Sequence, residues 1–190
     1  LHIANYVYNT LALDRVIFIP TGDPPHKPSA SLAPVHHRLN MVKLATESYE
    51  HFVVDDREAR SPTVSYSVDT VTRLKSEFPS ETELGFIIGL DAFLEFRSWK
   101  QAPRLLAMCH VIVCSRPGVT FTQLQSMSLL PPTPTTILHS LDQQDIPRLD
   151  MALSSGNSMT LLSVPPCEVS ASQIREEIAR QQPIGAWLPP

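Results

Sequence analysis

Five short apolar runs constrain this chain more than any other feature. "RVIFIP", "HFVVDD", "ELGFIIGLD", "HVIVCSRPG" and "SMTLLSV" are rich in β-branched and aromatic residues, and most close on Pro, Gly or carboxylates. Each therefore reads as a strand. Between them, "HHRLNMVKLATESY" places Leu39, Val42 and Ala45 at helical spacing, and "YSVDTVTRLKSEF" continues the same period. A short helical region runs from Ala92 to Ala107, interrupted by Pro103, and "EVSASQIREEIARQ" is a last helix. Strand and helix in alternation specify an α/β domain with a mainly parallel sheet flanked by helices.

The start of the chain is unusual. In "LHIANYVYNTLALD", Leu1, Ala4, Val7 and Leu11 recur at helical spacing, yet no Ser, Thr, Asp or Asn precedes them to accept a first-turn N–H. We therefore expect a single domain over residues 1–190 whose N-terminus is cut, and, because the chain stops at "WLPP", a C-terminus cut as well. Residues 121–158, rich in Pro, Thr, Ser and Gln and containing "LLPPTPTT", read as a variable insertion or long surface loop.

Composition narrows the partners. A net charge of -4 argues against a general binder of nucleic acid or anionic membranes, so ligands must be gripped locally. No apolar run approaches the ~20 residues that span a bilayer, and no signal peptide is recognisable, which leads to an expected cytoplasmic location. The three cysteines, Cys109, Cys114 and Cys167, form no CxxC pair and read as small buried hydrophobes.

Several clusters carry chemistry, each with a purely structural alternative. In "VSASQIREEI", Ser170 and Gln173 make a capping box; alternatively Ser170, Ser172 and Arg175 form a phosphate cradle at a helix N-terminus. Gly89 and Asp91 sit where "GFIIGLD" ends, either as a turn with a capping Asp or as a close backbone approach beside a carboxylate that accepts from ribose. Arg116 ends the next strand, as a turn residue or as a ligand contact facing the same crevice. Trp99 is a core aromatic or a plate that stacks on a heteroaromatic ring. Ser65, Tyr66 and Ser67 cap a helix or make an anion-binding turn. "DPPHKP" presents His26 and Lys27 on a stiff loop, exposed or clamping a phosphate. His36 and His37 lack a third ligand at metal spacing and read as surface residues. There is no GxxxxGK[ST], GxSxG or GxGxxG motif. The residues alone thus indicate an α/β domain for a phosphate-bearing ligand.

Taken in order, "IPTGDPPHKP", "SPTVSYSVDT", "FIIGLDAFLEFRSWK", "HVIVCSRPG" and "VSASQIREEI" resemble the successive blocks of bacterial nicotinate-nucleotide adenylyltransferases. The resemblance covers nearly the whole chain and implies a Rossmann-like nucleotidyltransferase fold. It implies an enzyme of NAD biosynthesis that joins ATP to nicotinate mononucleotide and releases pyrophosphate. Mg²⁺ is then the implied cofactor, carried mainly on substrate phosphates with no protein metal site. By position, Gly89, Asp91, Arg116, Ser170, Ser172 and Arg175 match ATP contacts; His26, Lys27, Ser67, Trp99 and Lys100 match the mononucleotide side. Ser172 and Ser67 each stand where the family commonly has Thr. The family's GxFDPxHxGH block, whose histidines are catalytic, would lie before Leu1, so this piece alone is expected to be inactive. The alternatives are a non-catalytic nucleotide-binding module of the same fold and an adenylyltransferase preferring nicotinamide mononucleotide. The expected partners are ATP and nicotinate mononucleotide, with no nucleic acid and no membrane, and a homo-oligomer is left open.

Overall fold

A computed structural model describes residues 1–24, 32–166, 171–185 and 188. In chain order it contains α1 (His2–Thr10), β1 (Val16–Phe18), α2 (Val35–Thr46), β2 (Phe52–Val54), α3 (Ser67–Glu77), β3 (Gly85–Gly89), α4 (Leu90–Leu94), a 3-10 turn (Phe96–Ser98), α5 (Ala102–Met108), β4 (His110–Cys114), a second 3-10 segment (Phe121–Ser126), α6 (Thr135–Asp142), β5 (Arg148–Ala152), β6 (Ser158–Leu162) and α7 (Ala171–Ala179). These fall into two compact units, Leu1–Val64 with Pro166–Pro190, and Ser65–Pro165.

In the first unit β1 and β2 pair in parallel, Val16 opposite Phe52. α1 buries Ala4 and Val7, as its spacing predicts, and Leu1 occupies the N-cap without a side-chain capping bond. The helix is anchored by polar and ring contacts. Tyr8 stacks on His51 at 3.8 Å, and His51 Nε2 donates to Asn5 Oδ1 at 3.1 Å.

In the second unit the strand order is β3-β4-β6-β5, parallel except for β5. The mainly parallel α/β reading therefore holds, with the pairing divided between two hydrogen-bonded sheets. Central β4 and β6 are buried almost throughout. Phe93, Phe96, Leu105, Val111, Val113 and Leu161 lie among the core residues. The side chain of His110, at the start of β4, is held on both ring nitrogens. The Thr160 hydroxyl donates to Asp150 Oδ1 at 2.6 Å, so it accepts from His110 Nε2 at 3.0 Å, and Nδ1 then accepts from Ser158 at 2.6 Å. Burial, opposed by the charges of Asp150 and Glu83, lowers the His110 pKa and favours this neutral form.

Two local expectations need correcting, and one pairing adds to the expected sheet. Pro103 does not interrupt a helix; it lies in the first turn of α5, where its missing N–H costs nothing, and the break is the left-handed Gln101 at φ 51°. Much of residues 121–158 is regular structure rather than loop. Phe121, Leu124, Leu138 and Leu141 are each at most 2% exposed, and fully burying such side chains stabilises by about 1.5–3 kcal/mol apiece. Thr120 and Gln123 form a reciprocal capping box, and the Asp142 carboxylate accepts from the Phe121 and Thr122 N–H groups, which ties the 3-10 segment to α6. Finally, β5 and β6 form an antiparallel hairpin whose turn places Gly156 at φ 86°, a conformation glycine adopts without strain.

Candidate active site

The carboxyl ends of β3 and β4 bring three of the expected residues together. Gly89 pairs with Cys114 in the ladder, and each strand then turns outward. Ser115 extends the β4–β6 ladder: its N–H donates to Leu162 O at 3.0 Å, and its hydroxyl accepts from Val164 N at 2.8 Å and donates to Val164 O at 3.2 Å. This fixes the backbone one residue before Arg116. Arg116 Nε stands 3.8 Å from Asp91 Oδ1, with both side chains about half exposed. Such a pair contributes little to stability, and both groups stay accessible to a ligand.

Gly89 lies beneath this pair. A Cβ there would meet Asp91 Oδ1 at 2.5 Å and the Arg116 Cγ and Cδ at 3.2 and 3.3 Å. Its φ of -73° is ordinary, so a side chain here is opposed by these neighbouring side-chain atoms and not by backbone conformation. Gly89 itself is the N-cap of α4, with Asp91 in the first turn, so the sequence alternative of a capping Asp is corrected: no side chain caps that helix. The ladder partner Cys114 is inert. Burial pushes its thiol up to about 12, and pushes Cys109, against the opposing charge of Lys75, up to about 11. Cys167 lies outside the described residues.

A second grouping surrounds the start of α3. Tyr66 is the N-cap and Ser67 the first helical residue, again without a side-chain cap, so the capping reading of Ser65 and Ser67 is corrected. The first N–H groups of α3 thus precede the intrahelical ladder, which begins with Asp69 N donating to Tyr66 O at 2.9 Å. Lys100 reaches this turn. Its Nζ is 2.9 Å from Asp69 Oδ2 and 4.2 Å from the centre of the Tyr66 ring. Trp99, half-buried, is braced by Phe96 at 5.3 Å and by the edge of Phe86 at 6.1 Å.

In the other unit, α7 carries Ser172 and Arg175 on its exposed face, and Arg175 Nη2 donates to Ser172 Oγ at 3.1 Å. Ser170, and with it the capping box, lies outside the described residues, as do His26 and Lys27. His36 and His37 are exposed in the first turn of α2, as expected of surface residues. At the end of β2, burial acts to raise the pKa of Asp55, but two hydrogen bonds and the charge of Arg57 outweigh it and leave the carboxyl below its ordinary value.

Two residues that hold this region escaped the sequence analysis. Arg38 spends its guanidinium on three carbonyls: Nε to Ala33 at 3.0 Å, Nη1 to Thr21 at 2.5 Å and Nη2 to Gly22 at 2.7 Å. Gly22 lies so close to the next segment that a Cβ would sit 2.3 Å from the Glu58 carbonyl oxygen. The only sequence signal was "TGDPP", which marks a turn without naming what packs against it.

Among the described residues no three His, Cys, Asp or Glu side chains gather into a cluster that could hold a metal ion, and no helix is long and apolar enough to cross a membrane. The carboxylates nearest the two groupings, Asp91 and Asp69, each face a cation of the protein. Among the described residues, a divalent ion at either grouping would therefore find at most one carboxylate, already paired with a cation.

Comparison with known proteins agrees with the geometry. The cytidylyltransferase-like family model matches residues 1–177. The chain is 37% identical over 175 residues to a "probable nicotinate-nucleotide adenylyltransferase" of Geobacter metallireducens, covering 92% of this chain and 78% of the relative. It is 39% identical, with the same coverage, to a protein of the same name from Geobacter sulfurreducens. Among solved structures, the nicotinic acid mononucleotide adenylyltransferase of Plasmodium falciparum complexed with NaAD superposes with a TM-score of 0.65 at 14% identity, covering 97% of this chain and 78% of that one, which supports the fold. With the family model spanning residues 1–177 and these relatives matching over 92% of its length, this α/β chain belongs to the cytidylyltransferase-like family, among the nicotinate-nucleotide adenylyltransferases.

Proposed function

We propose that the protein transfers the adenylyl group of ATP to nicotinate mononucleotide, giving nicotinate adenine dinucleotide and pyrophosphate in NAD biosynthesis. The observation that carries this reading is the Gly89–Asp91–Arg116 grouping at two adjacent parallel strand ends, in a chain that shares 37–39% of its residues with enzymes so named. A mononucleotide phosphate oxygen attacks the ATP α-phosphorus in line; the new P–O bond forms as the bond to the β-phosphate oxygen breaks, and pyrophosphate leaves. No covalent enzyme intermediate is needed, so the chain contributes position and charge.

In this reading Gly89 admits the nucleoside to the backbone, Asp91 accepts from its ribose hydroxyls and Arg116 bounds the adenine. Ser170, Ser172 and Arg175 hold the phosphates. On the mononucleotide side, His26 and Lys27 line the cleft, the N–H groups around Ser67 meet the nicotinate carboxylate, and Trp99 stacks on its ring with Lys100 adjacent. Mg²⁺, bound through substrate phosphates, supplies neutralisation of the charge that develops on them. We further propose that residues 1–190 serve as one nucleotidyltransferase domain and that the protein works in the cytoplasm.

The direct test is pyrophosphate release by the full-length protein with ATP and either mononucleotide. The expected result is a kcat/KM for the acid at least about tenfold above that for the amide, since a site built around a carboxylate loses a charge-assisted hydrogen bond with the amide. Preference for the amide overturns the substrate assignment, and no release with either overturns the catalytic one.

Gly89→Ala probes the ATP side. The added methyl would press on the ends of two exposed side chains, which can swing aside, so the melting temperature is expected to hold while KM for ATP rises about tenfold. An unaltered KM for ATP would separate this strand end from nucleotide binding.

A further inference from the structure

Lys100 matches the mononucleotide side of the site by position, yet in the structure its ammonium is turned to the protein. Its Nζ bonds Asp69 Oδ2 at 2.9 Å and covers the Tyr66 ring at 4.2 Å. Those two residues flank the first turn of α3: Tyr66 is its N-cap and Asp69 its first-turn carboxylate. Lys100 itself directly follows Trp99 and precedes Gln101, whose left-handed backbone starts α5. One side chain therefore joins the turn that offers the α3 N–H groups to the segment that carries the indole. The Trp99 ring also packs against Phe86 and Phe96.

We propose that Lys100 is a positioning residue, a latch that fixes the spacing between the Trp99 ring and the start of α3. The inference rests on the reading of those two elements as the nicotinate subsite, the ring stacking on one and the carboxylate meeting the other. A planar ligand with a carboxylate at fixed distance from its ring needs both receivers at matched separation, and preorganising them lowers the cost of binding. The latch has two contributors, a charge-assisted hydrogen bond to Asp69 and a cation–π contact with Tyr66, and each is modest at this exposure.

The opposite arrangement, with Lys100 binding the mononucleotide itself, predicts a different response at Asp69. Were the ammonium a ligand, Asp69→Asn would free it and remove a negative charge near the substrate carboxylate, leaving KM unchanged or lower. Under the latch, Asp69→Asn removes the charge from the contact and Lys100→Met removes that contact together with the one to Tyr66, so both raise KM, Lys100→Met the more.

The test measures KM for nicotinate mononucleotide and for ATP in the full-length protein carrying Asp69→Asn, Lys100→Met, both together, and Lys100→Arg. Lys100→Met is expected to raise KM for the mononucleotide about fivefold and Asp69→Asn by a smaller factor, with KM for ATP and the melting temperature near wild type. The double variant is expected to match Lys100→Met rather than multiply the two effects, and Lys100→Arg to retain most of the wild-type KM. An Asp69→Asn KM at or below wild type overturns the latch, as does a double variant that returns to the wild-type value, which would reduce Lys100 to neutralising Asp69. An equal rise in both KM values, with lower stability, also overturns it by making the contact merely structural. If the wild-type protein releases no pyrophosphate, the functional reading fails instead, and that outcome is visible before any variant is made.

Discussion

Replacing Arg175 by Ala in the full-length protein is expected to reduce kcat by about 100-fold or more, with little change in stability. The magnitude is that of removing one preorganised donor from charge developing on leaving phosphates. The structure makes the test clean. Arg175 is exposed on α7, and among the described residues its contacts are one hydrogen bond, to Ser172 Oγ, and no ion pair, so little stability is expected to be lost with it. Ala is at least as good a helix former as Arg, which removes propensity as a competing explanation. Arg175→Lys is expected to recover part of the activity, since the ammonium restores charge but not the guanidinium fork. Near-normal turnover of Arg175→Ala, measured by pyrophosphate release, would remove Arg175 from the phosphate site.

Gly22→Ala is expected to destabilise the protein by about 3 kcal/mol, read as a lower denaturant midpoint at unchanged slope. A methyl at Gly22 would lie 2.3 Å from the Glu58 carbonyl oxygen and 3.3 Å from its carbon. Both are backbone atoms, so no rotamer change relieves the overlap. The glycine is also held from the other side, where Arg38 Nη2 donates to its carbonyl. Moving Gly22 away from Glu58 would strain that bond, and moving Glu58 would disturb the turn closed by Ser61 N donating to Glu58 O at 3.1 Å. Gly89 differs in kind, because its obstacles are side-chain ends. An unchanged midpoint for Gly22→Ala would mean that residues 58–61 yield without cost.

The residues that the sequence analysis read well share a local cause. Val111 to Cys114 is a continuous apolar run and Met159 to Leu162 one broken only by the buried Thr160, and such runs read as central parallel strands. α1 and α3 announced themselves by spacing, and Gly89, Asp91 and Arg116 by their place at strand ends. Residues 121–158 were misread because their Pro, Ser and Thr content masks a few deeply buried anchors. Phe121 and Leu124 belong to one irregular turn, Leu138 and Leu141 to a two-turn helix, and neither piece is long enough to show a period. The "TFTQ" capping box was legible in principle, since Thr followed three residues later by Gln is its signature.

By itself, the sequence determined the α/β class, the strands that end beside Gly89 and Arg116, and the family to which the chain belongs, because apolar period and motif order are properties of neighbouring residues. Only the tertiary structure decided that Lys100 turns to Asp69 and Tyr66, that Arg38 gathers the carbonyls of Thr21, Gly22 and Ala33, and that Gly22 must be glycine. Each of these depends on which distant segment arrives alongside. A side chain's donors are committed by the acceptors that folding brings within about 3 Å, and no local pattern specifies them.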